Sequence, residues 1–321
     1  MNTANILVTG SNGLLGQNLT KILLRESEYN IVITSIEEES FFDLKDFSEK
    51  LGVSSDKYEK RYIYEVLDIT NKEKTKKIIQ KYKPEFIVNC AAFTNVDACE
   101  TEKELCWKLN VDAVENLIIS SRISNAKIIH ISTDYIFDGK NGPYNETDTP
   151  NPISFYGRSK LASENALKAS GVDYIILRTI VLYGYGNKIK PNFALWLVDE
   201  LRNSRQVRIV KDQIGNTTHA DDLAYAILKS IEKVEGKQDI KLIYNIAGED
   251  IISRLDFAYY MCEIFGFDKE LITPILTSEL HQPAPRPLKS GLITLKAKTE
   301  LGLNTMTSKE GIQLLKFEMN L

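Results

Sequence analysis

Short apolar runs alternate with longer amphipathic stretches through the first half of the chain, and this alternation constrains the fold more than any other feature. The pattern predicts parallel strands joined by helices that cover both faces of one sheet. Because such crossovers are right-handed, the predicted architecture is a doubly wound, Rossmann-type α/β fold. The predicted strands are 6–8, 31–34, 62–66, 86–89, 127–132 and 174–178, and the predicted helices are 14–24, 73–82, 104–122 and 159–169.

The regular alternation ends after Arg178, and prolines punctuate less regular segments beyond it. A chain of 321 residues is long enough for one large α/β unit and an appended lobe. A last apolar run at 242–246 is predicted to return to the main sheet, so the smaller C-terminal lobe is interleaved with the first domain. The predicted Rossmann domain consists of residues 1–180 and 218–248. The predicted lobe consists of residues 181–217 and 249–321.

Charge and composition argue against several functional classes. The formal net charge is −4, so a phosphate-bearing polymer would be repelled on average and nucleic-acid binding is not expected. Three histidines and four cysteines without a C-x-x-C pair predict free thiols in a reducing compartment and no metal site. No leader-like opening and no apolar run near the roughly 20 residues of a membrane helix are found, so a cytoplasmic protein without a membrane partner is expected.

Three glycines follow the first predicted strand and open the first helix, in the segment T-G-S-N-G-L-L-G. Gly10, Gly13 and Gly16 allow a tight turn, a close approach of the backbone to a pyrophosphate, and close packing of helix on strand. The helix N-terminus would then present N–H groups to the phosphates. The spacing is G-x-x-G-x-x-G rather than the commoner G-x-G-x-x-G, but its place between strand and helix predicts a dinucleotide, NADPH or NADH.

The end of the second strand usually distinguishes the two cofactors, and here it is Thr34-Ser35-Ile36, without an acid or an arginine. The glutamates at 37–39 would oppose a 2′-phosphate if they came close to it, which favours NADH. The alternative is that these glutamates belong to a solvated loop.

Tyr156 and Lys160 are four residues apart, a spacing that puts both side chains on one face of a helix. A nearby ammonium is expected to lower the pKa of the phenol, so that Tyr156 can act as acid to a carbonyl being reduced, or as base in reverse. Ser132 and Thr133 end an apolar strand, where α/β sheets bind ligands, and Thr133 is expected to bond the substrate carbonyl. A chance surface pair and ordinary strand-end capping are the alternatives.

These motifs resemble those of the extended short-chain dehydrogenase/reductase family. The resemblance runs from Ile6 to about Ala226, with a weaker tail to Leu303. Within the family the chain is most similar to the dTDP-4-dehydrorhamnose reductases, mainly through S-T-D-Y-I-F-D-G at 132–139. Further shared pieces are Asn89-Cys90-Ala91-Ala92, Asn110 in L-N-V-D-A-V-E-N-L, Y-G-R-S-K-L-A-S-E at 156–164, T-N-V-D-A-C-E at 94–100 and Arg286-Pro287.

The resemblance implies reduction of a nucleotide-linked 4-keto sugar, with hydride passing from the nicotinamide of NADPH or NADH to C4. Tyr156 would be the proton donor, Lys160 its partner and a ligand of the nicotinamide ribose, and Thr133 the hydroxyl at the carbonyl. The cofactor is expected to contact Gly10, Asn12, Gly13, Leu14, Leu15, Gly16, Ser35, Asp68, Ile69, Ala91, Ala92, Ser132, Tyr156 and Lys160. The lobe is expected to bind the substrate, which would contact Thr133, Asp134, Tyr135, Asn192, Phe193 and Arg286.

The Arg286 guanidinium is expected to pair with the diphosphate of the substrate, the alternative being an ordinary loop arginine between prolines. Two departures leave the exact sugar open. Rhamnose-forming reductases often have a tryptophan where this chain has Val181, for which Trp196 is a substitute or else a core residue. The polar segment 36–61 is a predicted insertion, a loop with a short helix.

Other functions remain as alternatives. Sugar-nucleotide 4,6-dehydratases of the family have a glutamate where this chain has Tyr135, so elimination of water is disfavoured. A non-catalytic NAD(P)-binding regulatory subunit of another enzyme and a sugar-nucleotide epimerase stay open. A homodimer is compatible with the sequence, which does not decide the oligomeric state.

Overall fold

The computed structural model describes residues 5–321, and its centre is a sheet of seven parallel strands. In chain order the strands of the described residues are β1 (Asn5–Thr9), β2 (Asn30–Ser35), β3 (Tyr62–Val66), β4 (Phe86–Asn89), β5 (Lys127–Thr133), β6 (Tyr174–Thr179), β7 (Leu182–Tyr183), β8 (Val207–Val210), β9 (Ile214–Gly215), β10 (Thr218–His219), β11 (Lys241–Ile246), β12 (Ile252–Ser253) and β13 (Ile272–Ile275). The sheet order is β11-β6-β5-β4-β1-β2-β3, which is the predicted doubly wound, Rossmann-type fold.

Helices cover both faces of the sheet. They are α1 (Leu14–Glu26), α2 (Leu44–Lys50), α3 (Asp56–Glu59), α4 (Lys72–Tyr82), α5 (Ala98–Thr101), α6 (Lys103–Trp107), α7 (Ala113–Ser121), α8 (Phe155–Ala169), α9 (Phe193–Arg202), α10 (Ala220–Val234), α11 (Arg254–Phe265), α12 (Leu295–Leu301) and α13 (Ser308–Glu318), with a π-helical turn Lys108–Asp112 and 3₁₀ turns Asp134–Ile136, Lys269–Leu271 and Thr277–Glu279.

The central strands are apolar without alternation because both of their faces are buried. On β1, Ile6 and Val8 pack into one core with α1 and α10, while Leu7 between them packs into a second core with α4, α7 and α8. All three side chains are fully buried. The ends of the strands are therefore held between two helical layers, which gives a rigid edge for a site.

Most predicted elements are confirmed, and three differ in detail. The helix predicted at 159–169 begins earlier, at Phe155, because the Ser154 hydroxyl caps it by accepting a hydrogen bond from the Gly157 N–H. The predicted helix 104–122 is interrupted by the π-helical turn. The insertion at 36–61 contains two short helices rather than one.

The last predicted strand does return to the sheet, as β11, which pairs in parallel with β6. The C-terminal lobe has its own core, in which Leu197, Ile209, Phe257 and Ile312 come together from α9, β8, α11 and α13. The exact domain limits stay a prediction. A cleft lies where this lobe meets the segment after β5, and Asp134 and Tyr135 line it.

Candidate active site

The glycine turn after β1 has the shape that a pyrophosphate needs. Gly10 has φ +65°, and a Cβ there would lie 2.7 Å from the backbone of Ala91. Gly13 caps α1 without any side-chain hydrogen bond, so no side chain blocks the first-turn N–H groups of the helix, at Leu14 and Leu15. An uncapped helix start beside a backbone without side chains fits the phosphates of a dinucleotide.

The end of β2 brings an acid to the glycine turn. The Glu37 carboxylate accepts hydrogen bonds from the Ser35 hydroxyl and, at 3.0 Å, from the Asn12 amide. Burial alone would raise the pKa of Glu37, but these hydrogen bonds and the charge of Lys190 lower it overall. Glu37 is therefore an ionised group at the turn and not part of a freely solvated loop.

The remaining predicted cofactor residues occupy different positions around the turn. Ala91 and Ala92 follow β4, and Ala91 packs directly against Gly10. Ile69 is buried just beyond β3, whereas Asp68 is exposed and its side chain accepts a hydrogen bond from the Thr70 N–H. The structure thus brings the alanines to the turn and leaves Asp68 at the surface.

Tyr156 and Thr133 meet where β5 ends and α8 begins. Their approach depends on Gly157, because a Cβ at that position would lie 2.1 Å from the carbonyl oxygen of Tyr135. The ring of Tyr156 packs edge-on against that of Tyr135, with centroids 5.6 Å apart. The Thr133 hydroxyl donates to Asp134 Oδ1 at 3.2 Å and accepts from the Tyr135 N–H.

Burial keeps Tyr156 protonated. Desolvation raises the pKa of the phenol, and a hydrogen bond with Thr133 lowers it by less. The net direction is upward because desolvation outweighs the influences that lower this pKa, so the expected net lowering is not seen. A protonated phenol is the form that can donate a proton to a carbonyl during its reduction.

Lys160 lies one helical turn after Tyr156 and is also buried. Its ammonium is 3.3 Å from Nε2 of His130, which belongs to β5. Burial lowers the pKa of Lys160 to about 8, although Glu164 and Cys106 oppose that shift. Desolvation and the charge of Lys160 hold the pKa of His130 well below its usual value, so the imidazole stays neutral.

A buried ion pair fixes α8 against the sheet. Glu164 accepts hydrogen bonds from Arg178 on β6, at 2.9 Å from Nε and 2.8 Å from Nη2, and from the Ser132 hydroxyl at 2.7 Å. Burial would raise the pKa of Glu164, but Arg178 lowers it overall. Glu164 continues the spacing of Tyr156 and Lys160 by four residues, a signal that the sequence analysis missed.

The predicted substrate residues divide into two groups. Asp134 and Tyr135 line the cleft. Asn192 instead caps α9, where its side chain accepts from the Leu195 N–H and donates to the Gly184 carbonyl. Phe193 follows it and packs against Trp196, whose side chain is exposed and not a core residue.

Arg286 has a partner within the chain. Its Nη1 and Nη2 each donate to one carboxylate oxygen of Asp97 at 2.7 Å. Pairing of Arg286 with a diphosphate stays a prediction, and it requires this two-pronged ion pair to open. This partner is 189 residues away, and no local pattern indicates it.

Within residues 5–321 no helix is long and apolar enough to cross a membrane. In the same part of the chain no group of three or more His, Cys, Asp or Glu side chains is placed to hold a metal ion. All four cysteines are free, and Cys99, Cys106 and Cys262 are buried.

Comparisons with known proteins find relatives that match nearly the whole chain. A sequence profile described as the RmlD substrate binding domain matches residues 4–319. The chain is 33% identical to a dTDP-4-dehydrorhamnose reductase of Aggregatibacter actinomycetemcomitans, over 94% of each chain. It is also 29% identical to the methionine adenosyltransferase 2 subunit beta of Xenopus laevis, over 88% of this chain and 78% of that one.

Among solved structures, a dTDP-4-dehydrorhamnose reductase of Bacillus anthracis in complex with NADP has a TM-score of 0.81 and 29% identity, covering 98% of this chain and 99% of that one. The likeness extends over the sheet, the glycine turn and the lobe, because nearly the whole of both chains is matched.

Proposed function

Because the chain belongs to the family of the RmlD substrate-binding domain, we propose that it reduces the keto group of a nucleotide-linked 4-keto sugar with NADPH or NADH. The observation that carries the proposal is the buried hydrogen bond between Thr133 and Tyr156, with buried Lys160 one turn further along α8, at the carboxyl edge of a sheet whose first turn fits a dinucleotide. The oligomeric state is a separate matter, for which a homodimer stays a prediction.

Each of the three side chains has a chemical role in the reduction that its surroundings support. The dinucleotide supplies the hydride when it is bound at the glycine turn. The Thr133 hydroxyl, which donates to Asp134 in the ligand-free protein, turns to donate to the carbonyl oxygen and so stabilises the negative charge that develops there. Tyr156, held protonated by burial, gives its proton to the same oxygen. The Lys160 ammonium stabilises the phenolate that remains.

The direct test is the loss of nicotinamide absorbance when the purified protein is mixed with NADPH or NADH and dTDP-4-dehydrorhamnose. We expect oxidation of the cofactor in proportion to the sugar nucleotide added. A protein that binds the cofactor but reduces no 4-keto sugar nucleotide would rule out the proposal.

The similarity to methionine adenosyltransferase 2 subunit beta favours one second candidate, a regulatory subunit that binds NAD(P) without turnover. A binding module has no need of a phenol that is buried and bonded to Thr133. The reductase is therefore the better supported function, and the absorbance experiment separates the two, because only the reductase consumes the cofactor.

We infer further that NADH is the preferred cofactor. Glu37 lies 21 residues after Gly16, just beyond β2, and its contact with Asn12 holds it beside the glycine turn. An acid at this place bonds the 2′-hydroxyl of the adenine ribose and repels a 2′-phosphate. The similar reductase of Bacillus anthracis was solved in complex with NADP instead.

Replacing Glu37 by glutamine is expected to strengthen NADPH binding on the order of tenfold relative to NADH, because a like charge near the 2′-phosphate is removed. The measurement is the fluorescence titration of each reduced cofactor in the absence of sugar. Glu38→Gln is the matched control, since Glu38 is exposed. Equal affinity of the unmodified protein for both cofactors would contradict the inference.

The reduction rate is expected to fall as pH rises above about 8. Lys160 has its pKa lowered to about 8 by burial, so it is charged below that pH and neutral above it. Loss of the ammonium removes the charge that stabilises the phenolate of Tyr156. The measurement is kcat/KM against pH between 6 and 10, and a profile that stays flat to pH 10 would contradict this role of Lys160.

A further inference from the structure

A positively charged side chain without a partner lies in the cleft beside the candidate active site. Arg254 lines the same cleft as Asp134, Tyr135 and Val181. Its Nη1 is shielded from solvent, yet no group within residues 5–321 forms a hydrogen bond with it. The guanidinium lies over the ring of Phe193, 4.9 Å from the ring centroid, which is an apolar support and not an acceptor.

A poorly solvated charge of this kind lowers the stability of the folded chain. Burial lowers the pKa of Arg254, which shows that its charged form is poorly solvated. Buried charges in proteins are normally paired with an opposite charge or fully hydrogen-bonded. The two comparable arginines follow that rule, since Arg178 is paired with Glu164 and Arg286 with Asp97.

The acid nearest in sequence to the catalytic hydroxyl does not serve as the partner. The Asp134 carboxyl is bonded by the Ser290 hydroxyl at 2.6 Å and by Thr133 at 3.2 Å. Burial raises the pKa of Asp134 to about 6, with Arg254 only a minor opposing influence. Tyr135 and Asp134 interact with the charge of Arg254, but neither forms a hydrogen bond with its Nη1, which is left for an anionic ligand of the cleft.

The surroundings of Arg254 also favour an anion. It is the first residue of α11, whose N-terminus is already capped by Ser253 and Asp256, so the guanidinium and not the helix end is the group that an anion would meet. Besides Val181, the cleft is lined by neutral polar side chains, among them Asn216, Thr217 and Ser290.

We propose that Arg254 binds an acidic group of the substrate, either the diphosphate or a carboxylate on the sugar. The inference rests on the proposed function, because it takes the ligand of the cleft to be a nucleotide-linked sugar. Arg254 thus takes the anion contact that was expected of Arg286. The two terminal nitrogens of Arg286 already donate to Asp97. A guanidinium binds both kinds of oxyanion with paired hydrogen bonds.

The test compares Arg254→Met with Arg254→Lys by calorimetric titration of NADH-loaded protein with dTDP, dTMP, UDP-glucuronic acid and UDP-glucose. If the diphosphate is bound, Arg254→Met loses about tenfold or more in affinity for dTDP, little for dTMP, and Arg254→Lys recovers part of the loss. If a sugar carboxylate is bound, dTDP affinity is unchanged and the preference for UDP-glucuronic acid over UDP-glucose disappears.

Two controls make the result decisive. Arg122→Met removes the same charge from an exposed position at the end of α7 and should leave all four affinities unchanged. Arg254→Met should keep or raise the melting temperature of the ligand-free protein, because an unpaired buried charge is removed. A large fall in melting temperature would show that the guanidinium stabilises the fold, and would overturn the proposal.

Different experimental outcomes would contradict the anion contact of Arg254 and the proposed reductase function. If Arg254→Met binds dTDP and UDP-glucuronic acid as tightly as the unmodified protein, the role of Arg254 is wrong while the reductase activity can still be measured. If the unmodified protein binds dTDP through Arg254 but never oxidises NADH or NADPH with a 4-keto sugar nucleotide, the reductase is wrong and the anion contact stands. Absence of any binding of these nucleotides overturns both.

Discussion

Replacing Tyr156 by phenylalanine is expected to lower the rate of cofactor oxidation by about a hundredfold or more, the scale of general acid catalysis. Only the phenolic oxygen is removed, while the ring keeps its edge-on packing against Tyr135. The carbonyl would still be polarised by Thr133 but would lack its proton donor. The measurement is kcat with saturating cofactor and sugar nucleotide.

The separate measurement of cofactor affinity shows whether this loss is chemical. Tyr156→Phe should bind NADH and NADPH almost as the unmodified protein does, since the glycine turn is untouched. Tyr174→Phe is the matched control, because this tyrosine begins β6 at the opposite end of the sheet. Turnover that is unchanged in Tyr156→Phe would exclude the phenol as the proton donor.

Sequence patterns predicted the parts of the site that depend on local spacing. The strand, the glycines and the helix that form the phosphate turn are consecutive, so one short segment contains the whole signal. Tyr156 and Lys160 are likewise neighbours on a single helix. The order of the strands was also predictable in outline, because alternating strands and helices allow few topologies.

The parts that could not be predicted depend on contacts between distant segments. The partner of Arg286 is Asp97, across 189 residues, and nothing in either segment indicates the pairing. That Nη1 of Arg254 is buried without a hydrogen-bond partner can be seen only in the folded structure, where the lobe packs against the segment after β5. The direction of the pKa shift of Tyr156 also needed the structure, because it follows from how deeply the phenol is buried.

The ion pair of Arg178 and Glu164 connects the stability of the fold to its chemistry. Glu164 lies two turns after Tyr156 on α8, and it accepts a hydrogen bond from Ser132, the residue before Thr133. Arg178 anchors the same carboxylate to β6. The pair therefore holds the helix that carries the proton donor against the strand that carries the oxyanion donor.

Arg178→Met is expected to lower the free energy of unfolding by about 3–5 kcal/mol, because it leaves the Glu164 carboxylate buried without its main partner. Both side chains are almost completely buried, so solvent cannot replace the lost hydrogen bonds. The measurement is the midpoint and slope of urea unfolding for the cofactor-free protein. The double variant Arg178→Met with Glu164→Leu should regain part of the loss, since no unpaired charge remains.

Arg205→Met is the control for this prediction, because Arg205 also pairs with carboxylates, those of Asp199 and Glu200, but at the surface. Its removal should leave the unfolding midpoint nearly unchanged, since exposed ion pairs contribute little. If Arg178→Met were no more destabilising than Arg205→Met, the buried pair would not be what holds α8 in place. The alignment of Tyr156 with Thr133 would then have to come from the close packing of Gly157 against Tyr135.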